Sequence, residues 1–68
     1  MDKSSFIWDI NHNRKIKMGA IKEFMVRQSY NSAHKWEVVA CLTGGDFPIV
    51  YGCEDKQQAI SWIDDITY

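Results

Sequence analysis

LTGGDFPIVYG, residues 42–52, is the stretch on which the fold turns. Paired glycines beside an acidic residue can cradle a phosphate, or they can simply reverse the chain. The flanking pattern separates the two. With Gly44 and Gly45 as the central residues of a type I′ hairpin turn, where both need positive φ, Thr43 faces Asp46, Leu42 faces Phe47, Ala40 faces Ile49, Val38 faces Tyr51 and Trp36 faces Cys53. From Leu42 to Trp36 every facing pair is apolar, and all lie on one side of the sheet. The other side reads Lys35, Glu37, Val39, Cys41 and Thr43 against Asp46, Pro48, Val50, Gly52 and Glu54, the mixed pattern of a half-solvated face. A phosphate loop would run through Gly-Lys-Ser/Thr into a helix, and here a strand containing Pro48 follows instead. The glycines read as a turn. Pro48 has no amide hydrogen, which places it at an edge or beyond the ladder.

The same register test extends backwards. Phe24, Val26, Gln28 and Tyr30 alternate with Met25, Arg27 and Ser29. A hairpin through NSAHK (31–35) that pairs Tyr30 with Trp36 also pairs Val26 with Ala40 and Phe24 with Leu42. It leaves Gln28 opposite Val38 as the one polar exception. After the third strand the period changes. Asp55 is a good helix N-cap, and Gln58 stands three residues later, where a capping box wants it. Ala59, Ile63 and Ile66 form an apolar stripe flanked by Ile60 and Trp62, while Gln57, Gln58, Ser61, Asp64 and Asp65 take the opposite side. At the N-terminus, SFIWDI alternates Phe6, Trp8 and Ile10. It is read as a hairpin through NHN onto RKIKMGA, with Gly19 as a bulge or bend. A helix over 14–25 is the rival, but its apolar positions scatter around the wheel. The predicted fold is therefore one small α+β domain spanning 1–68. It has an antiparallel three-stranded meander (about 23–30, 35–43 and 46–53), a helix over about 56–66 on its apolar face, and an additional N-terminal β-hairpin.

Bulk composition narrows the function. Sixty-eight residues make one domain, and a chain this short buries only roughly 60% of its unfolded surface, so a partner or a homodimer would help it. No apolar run approaches the ~20 residues of a membrane span, and no signal-peptide pattern opens the chain, so a cytoplasmic protein without membrane contact is expected. The net charge is −1, yet the charges are sorted. From Ile10 to Trp36, Arg14, Lys15, Lys17, Lys22, Arg27 and Lys35 stand against Glu23 alone, and from Glu37 to the end six acidic residues stand against Lys56 alone. Such a division fits either a basic surface for an anionic partner or attraction between the halves within the fold.

Candidate chemistry is sparse. Cys41 and Cys53 are separated by 11 residues, unlike the close pair of a zinc knuckle, and the register puts them on opposite faces. His12 falls in a turn among asparagines and His34 in the NSAHK loop, neither with a nucleophile placed beside it. Asp64 and Asp65 diverge by about 100° on the helix and read as a solvated end, although negative charge there opposes the helix dipole. No catalytic residue, metal or cofactor is expected. Three Trp, three Tyr and three Phe are a surplus for this length. Tyr30, Trp36, Phe47 and Tyr51 have core places in the register. Phe6, Trp8 and Trp62 do not, and of these Trp8 and Trp62 are candidates for a contact surface unless the N-terminal strand buries both against the helix.

Trp36 opening a strand in KWEVVA, a glycine turn, Gly52 before the helix in YGCEDKQQA, and Ala59 within it form a pattern over 34–65. This pattern resembles the three-stranded-sheet-plus-helix DNA-binding domains of phage-integrase arm-binding modules and plant ethylene-response-type factors. In those families the sheet enters the major groove with outward arginines. Here the outward positions of the second strand are Glu37, Val39, Cys41 and Thr43. What the resemblance implies for DNA therefore falls to phosphate contacts from Arg27, Lys35 and the basic residues upstream.

The reading that follows is a non-enzymatic module binding a protein partner through Trp8, Trp62, Asp64 and Asp65. It would be a small regulator, adaptor or inhibitor of the size phages and mobile elements encode. The alternative is a nucleic-acid-binding domain using Arg14, Lys15, Lys17, Lys22, Arg27 and Lys35. Salt sensitivity marks the second, and loss of binding on Trp→Ala marks the first.

Overall fold

The strand that Trp36 opens lies at the centre of the sheet and is its most buried element. This computed structural model describes residues 5–30 and 33–67. In chain order the elements are β1 (Phe6–Trp8), β2 (Lys15–Lys17), a 3-10 turn (Met18–Ala20), β3 (Ile21–Gln28), β4 (Trp36–Leu42), β5 (Ile49–Cys53) and α1 (Lys56–Thr67). β1 and β2 form an antiparallel hairpin, and β3-β4-β5 form an antiparallel sheet in that order. The expected α+β architecture is present: three-stranded sheet, C-terminal helix and N-terminal hairpin. No α-helix forms over 14–25; β2, the 3-10 turn and the start of β3 occupy it. Asn31 and Ser32 of the expected NSAHK loop lie outside the described residues. No helix among the described residues is long and apolar enough to cross a membrane.

The β4–β5 register agrees with the sequence at one end and departs at the other. Trp36 faces Cys53, Glu37 faces Gly52 and Val38 faces Tyr51, as expected; then Val39, not Ala40, faces Ile49. One extra residue, Val50, is accommodated on β5 as a bulge. The turn explains the offset. Gly45 N–H donates to the Leu42 carbonyl and Leu42 N–H to the Asp46 carbonyl, so three residues, Thr43 to Gly45, close the loop instead of two. Of the two glycines only Gly45 has positive φ (88°), the pattern of a turn ending in a left-handed residue rather than type I′. The slip moves Phe47 out of its expected core place to 56% exposure and brings Val50 into the core. Pro48 lies before β5, its carbonyl accepting from Ala40 N–H, in keeping with its missing amide hydrogen.

On the other side of β4 the pairing is displaced by two residues. Gln28 faces Trp36, Val26 faces Val38 and Phe24 faces Ala40, while Ser29 N–H donates to the Lys35 carbonyl. The displacement keeps every side chain on its face but expels Tyr30, expected in the core, into full exposure. It also sets Arg27 opposite Glu37 and removes the mismatch of Gln28 with Val38.

Val38, Ala40, Leu42, Val50, Cys53 and Ala59 share one core with Ile7 and Ile16 of the hairpin. Each buried isoleucine contributes about 1.5–3 kcal/mol, which seats a hairpin that is at best marginal alone. Backbone bonds from Ile10 N–H to Ile49 and from Thr43 N–H to Ala20 complete the seating. α1 starts where its cap predicts: Gln58 N–H donates to Asp55 Oδ1 at 2.9 Å, and Gln58 Oε1 accepts from the amides of Glu54 and Asp55. The face expected to be half-solvated is not so along β4, because Glu37, Val39 and Cys41 are all buried.

Candidate binding surfaces

Two aromatic surfaces emerge, of opposite charge. The first is the outer side of the N-terminal hairpin. Phe6 pairs with Lys17, Ile7 with Ile16 and Trp8 with Lys15. Because strand side chains alternate, burial of the isoleucine pair turns Phe6, Trp8, Lys15 and Lys17 outward together. Phe6 is 49% and Trp8 45% exposed, so the N-terminal strand does not bury Trp8. Lys15 Nζ lies 5.0 Å from the Phe6 ring centroid, a cation–π contact along the strand diagonal. His12 stacks on the Trp8 indole at 5.6 Å with planes 6° apart. Its φ of 57° is the left-handed position of the 9–14 loop. Asp9 Oδ1 braces that loop by accepting from the amides of Asn13 and Arg14.

The second surface is an open groove of about 390 Å³ between α1 and β5, lined by Tyr51, Asp55, Gln57, Gln58, Ser61, Trp62 and Asp65. Tyr51 and Trp62 stack at 4.9 Å with planes 8° apart, and Phe24 meets Trp62 edge-on at 6.0 Å. Trp62 is thus half core and half groove wall. Asp65 stands at the groove edge with no cationic partner among the described residues. Asp64 is exposed but lies outside the lining.

The six basic residues do not act as one set. Arg14 pairs with Asp46 at 2.6 Å and Arg27 with Glu37 at 2.5 Å, so both arginines are bound to acids of the second half. Lys15 and Lys17 share the hairpin face, Lys22 is exposed on β3 and Lys35 is exposed before β4. Part of the charge asymmetry is therefore used within the fold.

A further cluster forms around Glu37. Glu37 is buried, and its carboxylate receives Arg27 Nε, His34 Nε2 at 3.5 Å and Ser29. Burial pushes its pKa up, but the hydrogen bonds from Arg27, Ser29 and His34 and the charge of Arg27 outweigh that, and the net shift is downward. His34 lies over Gly52, where a Cβ would meet the ring at 2.7 Å. The i,i+3 spacing of His34 and Glu37 was visible, but a glutamate on a mixed face reads as solvated. Arg14 and the Phe47 amide hold the Asp46 carboxyl below its usual range. Burial, with the Asp55 and Glu54 charges, raises the Cys53 thiol, and its Sγ donates to the Asp55 carbonyl. Cys53 is thus a thiol rather than a nucleophilic thiolate at neutral pH. Among the described residues no three His, Cys, Asp or Glu side chains converge as a metal site.

No family model matches the chain, no curated protein matches it, and no solved structure matches it.

Proposed function

We propose that the chain is a small, non-enzymatic, cytosolic binding module, a regulator, adaptor or inhibitor, that holds a basic segment of a protein partner in the α1–β5 groove. The observation that carries this reading is the stacked Tyr51–Trp62 pair in a groove also lined by Asp65, whose carboxylate has no cationic partner among the described residues. A flat aromatic pair beside a carboxylate suits an arginine, whose guanidinium plane lies on rings while its N–H fork meets the acid. Asp55 adds negative potential, although its Oδ1 is committed to the helix cap. Two buried, unbridged thiols suit a reducing compartment.

The test is an amide and indole NMR titration with a short arginine–glycine peptide and with its glutamate–glycine counterpart. Shifts centred on Ser61, Trp62 and Asp65, seen with the arginine peptide only and abolished by Asp65→Lys, support the proposal. Equal shifts with both peptides, or arginine-peptide shifts that survive Asp65→Lys, refute it.

A further inference from the structure

We infer that the outer face of the β1–β2 hairpin is a binding site for single-stranded nucleic acid. Bases would stack on Trp8 and Phe6, and phosphates would be held by Lys15 and Lys17. This goes beyond the groove and stands on a different region.

The inference starts from what the register brings together. Trp8 and the two lysines belonged to separate hypotheses in the sequence; the pairing of Phe6 with Lys17 and Trp8 with Lys15 places all four side chains on one face. Phe6 and Trp8 are two residues apart on one strand, about 7 Å by strand rise, and both keep nearly half their surface in solvent. Folding alone does not demand such exposure, since Ile7 and Ile16 already supply the buried side. Among the described residues neither lysine is paired with a carboxylate, in contrast to Arg14 and Arg27.

The chemistry of the occupant follows from this arrangement. The rings form one row along β1 and the ammonium groups a parallel row along β2, so the ligand must offer flat apolar faces beside a line of negative charge. A single strand does this, with a π-face on every base and a phosphate between bases, and aromatics on a sheet surface are a common way to hold it. A duplex matches the lysines alone, because its bases are already stacked. An acidic peptide matches the charge and leaves the rings without partners. His12, stacked on Trp8, fixes the indole before any ligand arrives, which lowers the ordering cost of binding.

The test uses fluorescence anisotropy with a labelled oligo-dT strand of 12 nucleotides, a duplex of the same length and polyglutamate as competitor. Wild type should bind the single strand at least fivefold more tightly than the duplex. Trp8→Ala should weaken single-strand binding by at least about fivefold, the lower end for losing one base–aromatic stack. Two phosphate contacts predict a decline of roughly sevenfold between about 50 and 200 mM salt, and Lys15→Gln with Lys17→Gln should remove most of it. Asp65→Asn, which alters only the groove, should bind the strand as wild type does, so the two surfaces can fail independently. Phe6→Ala serves as a second aromatic test, and circular dichroism melting confirms that each variant is folded. No binding of the strand at tens of micromolar overturns the inference, as do equal or tighter binding of duplex, full affinity in both folded aromatic variants, or displacement by polyglutamate at matched charge.

Discussion

The hairpin face and the helix groove are both built around a tryptophan, yet the two rings stand in different relations to the fold. Trp8 lies outside the core, held by His12 on one side and by the strand beneath it. Trp62 is wedged between Tyr51 and Phe24, so the ring that would greet a ligand also closes the core. The charge differs in the same way. Lys15 and Lys17 border one ring, Asp65 and Asp55 the other. An exposed aromatic on an edge hairpin can change without the fold responding. An aromatic shared with the core cannot.

The largest expected effect tests that difference directly. Trp62→Ala should lower stability by about 2–3 kcal/mol, less than the ~3–5 of a fully buried tryptophan, whereas Trp8→Ala should stay within about 0.5 kcal/mol. Urea titrations of both variants give the comparison, and similar losses would erase it.

Next comes the buried cluster on the far side of the sheet, which supports neither surface directly. Gly52→Ala would drive a Cβ into the His34 ring and should cost about 1–3 kcal/mol. In the double variant with His34→Ala, the two losses should combine to less than their sum. Strict additivity in the cycle would show that the ring and Gly52 are not coupled. The carboxylate beneath that ring also ties stability to acid. The Glu37 pKa is lower in the folded chain than its ordinary 4.5, so the unfolded chain takes up the proton first. The stabilisation is complete above about pH 4.5 and is lost as pH falls through the folded value. Glu37→Gln should flatten that acid limb in a pH series of melting temperatures.

Smaller effects sharpen the contrast in how each surface is fastened. Asp55→Ala removes the cap of α1 and should cost about 1 kcal/mol, read as a lower melting temperature. Arg14→Ala releases an exposed ion pair between the hairpin loop and the β4–β5 turn, and its effect should be the smallest of the series, fading further with salt. A larger loss from Arg14→Ala than from Asp55→Ala would mean that the hairpin, not the helix, is the more tightly fastened part.

Much of this architecture was legible in the chain. The facing of Trp36 with Cys53, the Asp55–Gln58 cap and the turn of strand direction at Gly45 follow from alternation, capping chemistry and glycine geometry. The bulge at Val50 did not, because Ile49 and Val50 are both apolar and β-branched and either could face inward. Tyr30 was misplaced for a related reason: a pattern of period two is blind to a shift of two residues. Alternation alone makes Glu37 a solvated position, because its partners Arg27, Ser29 and His34 reach it only across the β3–β4 connection. For the candidate surfaces, residue types pointed to Trp8, Trp62, Lys15 and Lys17, but only the hairpin register could show which of them are neighbours.

The interruption at Val50 also bears on how far the sheet can grow. β5 is a lateral border, and an uninterrupted border invites another strand to add alongside. Here Pro48 brings no donor, the extra residue breaks the repeat, and Ile10 N–H already occupies the Ile49 carbonyl. The eight-residue β3 border is longer, and Lys22 and Glu23 are exposed charges along it. The same irregularity that displaced Phe47 therefore leaves β5 a poor template for an added strand.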